Sequence, residues 1–325
     1  MISFKNYAFY SLLLSKWRRW IAVAVLTTFV FLGVYVIPPY NFPAQHSVEI
    51  KEGFTLSETA SLLKDENVIR SPFVFKALVY VLGGERGVQV GEYFLPKPAS
   101  VVSLAFRVIK GDFGFEPVKI TFPEGSTILE MAKIAEKKLP RFKADEFITL
   151  TEGKEGYLFP DTYVFYTNTK TELVVRALEE NFGTKTDTLK RVAEKSGKDF
   201  RDIIIMASII EEEARKEEDR KMVSGILWKR IKIGMALQVD APFIYSIGRN
   251  TYELTRSDLK GNSPYNTYQN RGLPVGPISN PGLSSINAAL YPTESPYLFY
   301  LSDKNGTVYY GKDFEEHKKN RELYL

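Results

Sequence analysis

Residues 50–63, IKEGFTLSETASLL, and residues 122–135, FPEGSTILEMAKIA, carry one arrangement twice. Each runs from a strand-like end through a Glu-Gly turn into Thr-x-x-Glu ahead of an apolar run. In such a capping box the threonine hydroxyl accepts from a backbone N–H of the first helical turn, and the glutamate reaches back to the threonine's own N–H. Thr55 with Glu58, and Thr127 with Glu130, therefore predict two strand–turn–helix units; two unrelated helix starts are the plainer alternative. Between them, residues 91–95 (GEYFL) predict a strand, and Val101 to Ile109 predict a helix stopped at Gly111. The expected fold class is α+β: a short linker at 39–46, a small α/β module over 47–112 and a larger α+β domain over 113–325.

The 325 residues suffice for one large domain or two ordinary ones. Hydrophobic residues make up 44% and charged residues 25%, a globular balance and not a disordered one. The net charge is only +4, and several of the basic residues fall within the first twenty positions, so nothing points to a nucleic-acid partner. The absence of cysteine excludes a disulfide framework and thiolate chemistry. His46 and His317 are the only imidazoles, which argues against a zinc site or a Ser-His triad. No metal and no cofactor is expected.

Residues 21–37, IAVAVLTTFVFLGVYVI, carry no charge, and with their flanks they approach the ~20 residues of a bilayer-spanning helix. Lys16, Arg18 and Arg19 precede them, and no basic residue follows until Lys51. Trp17 and Trp20 on one side, Tyr35 and Tyr40 on the other, suit the two interfaces. The charge bias predicts residues 1–20 in the cytoplasm, a transmembrane helix over 21–38, and the bulk of the chain outside. A cleaved signal peptide is the alternative. Pro38-Pro39 stands where a small-x-small site would be needed, which favours an uncleaved anchor.

Three stretches of the larger domain are dense in chemistry. Residues 155–163, EGYLFPDTY, form a turn loaded with aromatics. A helix from about Asp202 runs through IIIMASII into Glu211-Glu212-Glu213. The third stretch holds MALQVD (235–240), SPYNTY (263–268) and GLPVGPISNPG (272–282); its last piece is too rich in Pro and Gly for a helix and long enough for a functional loop. Helical residues three, four and seven apart share a face. Glu213 continues the row Met206, Ile209, Ile210. Glu211 follows Ile204, Ala207 and Ser208, and Glu212 follows Ile205, Ser208 and Ile209. Glu213 thus ends the most apolar row, where desolvation would keep a carboxyl protonated near neutral pH. On spacing alone the default remains a helix leaving the core and turning charged, with Arg215 and Lys216 pairing to the acids.

Together these stretches resemble the membrane-bound endolytic murein transglycosylases, the MltG or YceG-like family. The resemblance rests on EGYLFPDTY (155–163), MASIIEEE (206–213), GMALQVD (234–240), YNTY (265–268) and GLPVGPI (272–278), in that order, and covers nearly the whole chain. It implies a single anchor, a LysM-like module over 47–112 and a catalytic domain over 113–325. It implies that Glu213 is the catalytic acid, the second acid of the family's Glu-Lys-Glu; Glu212 stands here where that lysine usually sits. The chain departs again at Val239-Asp240-Ala241-Pro242, where the pattern runs Thr-Asp-Pro-Thr, and at Tyr309 and Tyr310, in a region that often carries a histidine. By the resemblance, Gln238, Asp240, Tyr265, Asn266, Tyr157 and Asp161, with the turn near Gly272, hold sugars by hydrogen bonds and ring stacking. Caps and turns that stabilise the loop are the alternative role for such residues.

The implied chemistry is cleavage of the β-1,4 bond between N-acetylmuramic acid and N-acetylglucosamine within peptidoglycan strands. One glutamate protonates the leaving oxygen and then takes the proton of the muramyl C6 hydroxyl, which closes to a 1,6-anhydro sugar. Such a carbon–oxygen lyase needs no second carboxylate, because the intramolecular attack has a high effective molarity. The resemblance places it at the cytoplasmic membrane, terminating or trimming nascent strands near penicillin-binding synthases. Two other readings compete. A hydrolytic muramidase would use Asp240 or Asp161 as its second carboxylate. A membrane-anchored protein could bind peptidoglycan without cutting it.

Overall fold

The computed structural model describes Trp17, residues 20–27, Val30, and residues 33–83, 88–249 and 253–325. The chain divides into two compact units, Met1–Glu116 and Pro117–Leu325.

In the first unit, β1 (His46–Ile50) pairs antiparallel with β2 (Gly91–Leu95), Val48 opposite Tyr93. Strand alternation turns Val48 and Ile50 inward. Helix α1 (Leu56–Asp65) starts on its capping box: the Thr55 hydroxyl accepts from the Glu58 N–H at 3.2 Å, and the Glu58 carboxylate accepts from the Thr55 N–H at 2.7 Å. Helix α2 (Pro72–Val81) opens with a proline behind the Ser71 cap, where a missing N–H does no harm. Helix α3 (Val101–Lys110) stops at Gly111, whose φ of 69° is the left-handed terminator. These helices and the hairpin enclose Ile50, Leu63, Phe75, Val79, Leu95, Leu104 and Val108. Residues 39–46, expected as a linker, fold onto the same unit. Phe42 is buried, the Gln45 N–H donates to the Leu95 carbonyl at 2.7 Å, and its side-chain amide donates to the Pro96 carbonyl at 2.8 Å.

Residues 20–27 and 33–36 are helical, with Ile21, Val23, Val25, Leu26, Val30 and Val34 exposed. Among the described residues no helix is long and apolar enough to cross a membrane. Residues 28, 29, 31 and 32 of the expected span lie outside the described residues, as does all of the expected cytoplasmic segment except Trp17 and Trp20.

The second unit has two cores. In the first, β3 (Pro117–Thr121) pairs antiparallel with β4 (Thr162–Tyr166). Helix α4 (Ile128–Glu136), started by the Thr127–Glu130 box, α5 (Ala144–Leu150) and the first turns of α6 (Thr171–Lys195) close over Ile120, Phe122, Met131, Phe147 and Leu178. The second core surrounds α7 (Phe200–Glu213), capped by Asp199, which accepts from the Arg201 N–H at 2.8 Å. Every side chain from Ile203 to Ile210 is buried. The reason is that α6, α8 (Glu217–Lys232), α9 (Ala241–Ile247) and α11 (Leu283–Leu290) all pack on α7. Full burial of an isoleucine is worth ~1.5–3 kcal/mol, so the middle of α7 is a principal source of stability. A one-turn helix, α10 (Arg256–Leu259), interrupts the long segment before residue 272. Residues 272–282 contain no helix, as their Pro and Gly content predicts. The hairpin of β5 (Phe299–Ser302) and β6 (Val308–Gly311) carries α12 (Phe314–Tyr324) against it. Among the described residues, three separate two-stranded sheets accompany many helices, which makes the fold α+β.

Candidate active site

Helix α7 delivers three carboxylates to its C-terminal end, and their surroundings separate them. The Glu211 side chain is only 5% exposed; it accepts from Arg220 Nη2 at 2.5 Å and from the Gly282 N–H at 2.8 Å. Arg220 also donates to the Ala214 carbonyl at 3.0 Å. Glu211 thus ties the end of α7 to α8 and to the N-cap of α11. This corrects the expected pairing: the cation is Arg220 and it meets Glu211, whereas Arg215 and Lys216 are exposed. The carboxyl of Glu212 has its pKa raised, first by desolvation and then by the charges of Glu211 and Glu130.

Glu213 is the last helical residue. Its Oε2 accepts from the Tyr300 hydroxyl at 2.9 Å, and among the described residues its Oε1 has no donor. Desolvation pushes its pKa up to about 7; the Tyr300 hydrogen bond pulls the other way, and the charges of Asp240 and Glu212 add to the rise. The negative end of the α7 dipole acts in the same direction as desolvation. The residue as a whole is only partly buried, while its carboxyl is strongly desolvated. A carboxyl poised near 7 can donate a proton and take one back at neutral pH.

Arg230, buried on α8, assembles the groups around this acid. It donates through Nε to the Leu298 carbonyl at 2.7 Å and through Nη1 to the Leu237 carbonyl at 2.6 Å, with its guanidinium 5.0 Å from the Phe299 ring. It thereby holds β5, which carries Tyr300, against the segment leading to Gln238 and Asp240. Asp240 accepts from the Tyr268 hydroxyl at 2.6 Å. Gln238 is exposed and takes a φ of 52°. A non-glycine residue in that left-handed region costs about 1–3 kcal/mol, and such strain clusters at functional sites. The neighbouring backbone fixes it: the Gln238 N–H donates to the Thr267 carbonyl at 3.0 Å, and the Thr267 hydroxyl donates to the Val239 carbonyl at 2.7 Å.

The remaining expected residues divide. Tyr265 is half-buried, its ring 5.2 Å from that of Tyr245. Tyr157 packs edge-on to Phe182 at 5.3 Å against the α7 core. Asn266 is buried and works on its own loop: its Nδ2 donates to the Gly261 carbonyl at 2.7 Å and the Leu259 carbonyl at 3.1 Å, and its Oδ1 accepts from the Tyr268 N–H at 2.9 Å. These bonds fit the loop-stabilising alternative. Asp161 sits at the head of β4, accepts from the Thr162 N–H at 2.7 Å and Asn181 at 3.3 Å, and lies 3.7 Å from Lys185.

Glu155 is a second carboxyl pushed up to about 7 by burial. It accepts from the Ile128 N–H at the start of α4 at 3.1 Å and from Asn280 Nδ2 at 2.7 Å, and it also bonds Tyr245. Asn280, fully buried, accepts from the Gly156 and Leu158 N–H groups at 3.0 Å each and donates to the Ser126 carbonyl at 2.9 Å. Gly156 has a φ of 87°, and a Cβ there would lie 2.7 Å from Pro277 and 2.8 Å from Ile204, so only glycine fits. Sequence reasoning missed Tyr300, Arg230 and Asn280. Tyr300 is 87 residues from Glu213, and no local pattern joins them. Among the described residues no three His, Cys, Asp or Glu side chains converge as metal ligands.

The profile of the YceG-like family matches residues 48–323. The endolytic murein transglycosylase of Bacillus subtilis (strain 168) is 33% identical over 306 residues, covering 86% of this chain and 84% of that protein. The protein of the same name from Streptococcus pneumoniae D39 is 27% identical over 320 residues, and the match spans 57% of its length. The crystal structure of a YceG-like protein from Listeria monocytogenes superposes with a TM-score of 0.57 at 30% identity, covering 84% of this chain and 98% of that one. With the family profile running through both units and past the Glu213 site, this chain belongs to the YceG-like family.

Proposed function

We propose that the chain is an endolytic peptidoglycan lytic transglycosylase that cuts the MurNAc–GlcNAc bond within glycan strands and leaves 1,6-anhydro ends. The observation that carries the reading is Glu213: a desolvated carboxyl at the end of α7 with its pKa pushed up to about 7, one oxygen held by Tyr300 and the other without a donor among the described residues. Protonated Glu213 gives its proton to the glycosidic oxygen as the bond from C1 breaks. The resulting carboxylate takes the proton of the C6 hydroxyl as O6 bonds to C1. Atoms balance without water, and the acid is regenerated. Tyr300 stabilises the carboxylate between the two steps. Gln238, Asp240, Tyr265, Tyr157 and Asp161 are the sugar-contact candidates that keep accessible surface. The relatives named endolytic murein transglycosylases support the same chemistry.

A hydrolase is the second reading, and one observation favours it: Asp240 lies near enough for its charge to raise the pKa of Glu213. In that mechanism Asp240 would activate a water. The first unit serves as a LysM-like module that positions glycan, and residues 21–38 as a single-pass anchor in the cytoplasmic membrane, near the synthases that extrude new strands. Glu213→Gln tests the core of the reading. The amide keeps the shape and has no proton to give, so cleavage of purified glycan strands should fall ~10²–10⁴-fold. Cleavage at the parent rate would remove Glu213 from the chemistry.

A further inference from the structure

We propose that the outer face of α2 lies on the lipid surface entered by residues 21–38, so that the first unit is seated on the membrane and not tethered above it. This rests on the anchor reading above. Helix α2, PFVFKALVYV, contains one charge. Phe75 and Val79 are buried beneath it. On the opposite side Phe73, Ala77, Tyr80 and Val81 follow at helical spacing, and Phe73 is 76%, Tyr80 53% and Val81 83% exposed. Lys76 reaches Ser57 on α1 at 3.4 Å, which leaves the stripe uncharged. An uncharged stripe with two aromatic rings suits the boundary between headgroups and acyl chains, where amphipathic rings concentrate.

Chain continuity identifies lipid as the occupant. Val36, at the end of the apolar segment, packs on the core of this unit. The Pro38 carbonyl accepts from Arg70 Nη2 at 3.0 Å and Nε at 3.2 Å, and Arg70 directly precedes the Ser71 cap of α2. The start of α2 is therefore clasped to the point where the apolar segment ends. The residues between have no slack, since Phe42 is buried and Gln45 is bonded to Leu95 and Pro96. A free chain of that length would instead let the unit wander by roughly 15 Å.

The cysteine-free chain permits a direct test. Single-cysteine variants of the full chain, Ala77→Cys and Val81→Cys on the stripe, Val25→Cys in the anchor and Glu322→Cys at the far end, carry an environment-sensitive fluorophore in vesicles containing brominated phospholipid. Ala77→Cys and Val81→Cys both keep the two aromatic rings, and retained glycan cleavage confirms that each variant is folded. The expected result is a blue shift and bromine quenching for labels at 77, 81 and 25, and neither at 322. Quenching at 25 with 77 and 81 behaving like 322 would overturn the proposal and leave the anchor standing. A blue shift at 77 and 81 without bromine quenching would mean that a second copy covers the stripe, which also overturns it. An unquenched label at 25 would remove the anchor and the proposal together.

Discussion

Glu211 and Glu213 leave the same helix two residues apart, and what each carboxyl touches decides its role. Glu211 meets a guanidinium and a backbone N–H; Glu213 meets one tyrosine hydroxyl in a desolvated place, with the charges of Asp240 and Glu212 nearby. The pKa of Glu213 in the fold, about 7, exceeds the ordinary 4.5. The folded state therefore binds the proton more tightly than the unfolded one. The stability contributed is complete below pH 4.5 and is lost as pH rises through about 7. Glu213→Gln cannot ionise, so thermal melts should find it more stable than the parent at pH 8, with the gap closing toward pH 4.5. A variant less stable than the parent at pH 8 would show that the charged carboxylate is well accommodated. The Tyr300 hydrogen bond favours the carboxylate, so Tyr300→Phe should raise the pKa of Glu213 and move the alkaline limb of kcat/KM upward. An unmoved or acid-shifted limb would detach Tyr300 from the acid. Gln238→Gly relieves the left-handed strain at that position. Its melting temperature should rise while kcat/KM falls, if the side chain holds sugar; unchanged kcat/KM would leave the strain without a catalytic counterpart.

At the scale of the element, the capping boxes were legible because their physics is local: Thr55 and Glu58, or Thr127 and Glu130, make both halves of the motif within one turn. The acid on α7 was legible only in part. The helical rows favour Glu213, yet Ile203 to Ile210 are all buried, so every row runs into the core and burial singles out none of the three glutamates. What distinguishes the glutamates is Arg220, nine residues on, and Tyr300, 87 residues on, neither of which a helical repeat can register. The same limit hid the contrast between two loop asparagines, Asn266 organising the 258–269 loop and Asn280 joining three distant segments. Tertiary pairing also sets the cost of change. Glu211→Ala leaves Arg220 and the Gly282 N–H without their carboxylate. Removing one partner of such a buried pair costs about 3–5 kcal/mol, to be read in urea unfolding, while protein that remains folded should still cut glycan. Full stability with cleavage abolished would exchange the roles of Glu211 and Glu213.

Across the whole molecule, the division into two units follows the two strand–turn–helix starts, with the observed boundary at Glu116 and Pro117, a few residues beyond the expected 112. Phe42 and Gln45 attach the expected linker to the first unit through burial and a backbone hydrogen bond, which no local sequence pattern registers. The candidate site lies in the second unit, where α7, α8, β5 and the segment from 236 to 240 surround the Glu213 carboxyl. The central claim is that this single acid cuts glycan by intramolecular attack, without water. It is tested most directly by digesting intact sacculi in isotopically labelled water with the parent protein and with Glu213→Gln, and analysing the muropeptides by mass spectrometry. The predicted result is 1,6-anhydro ends free of label from the parent and no new ends from the variant. Labelled reducing ends, which would recruit Asp240 as a second carboxylate, or parent-like cleavage by Glu213→Gln, would contradict it.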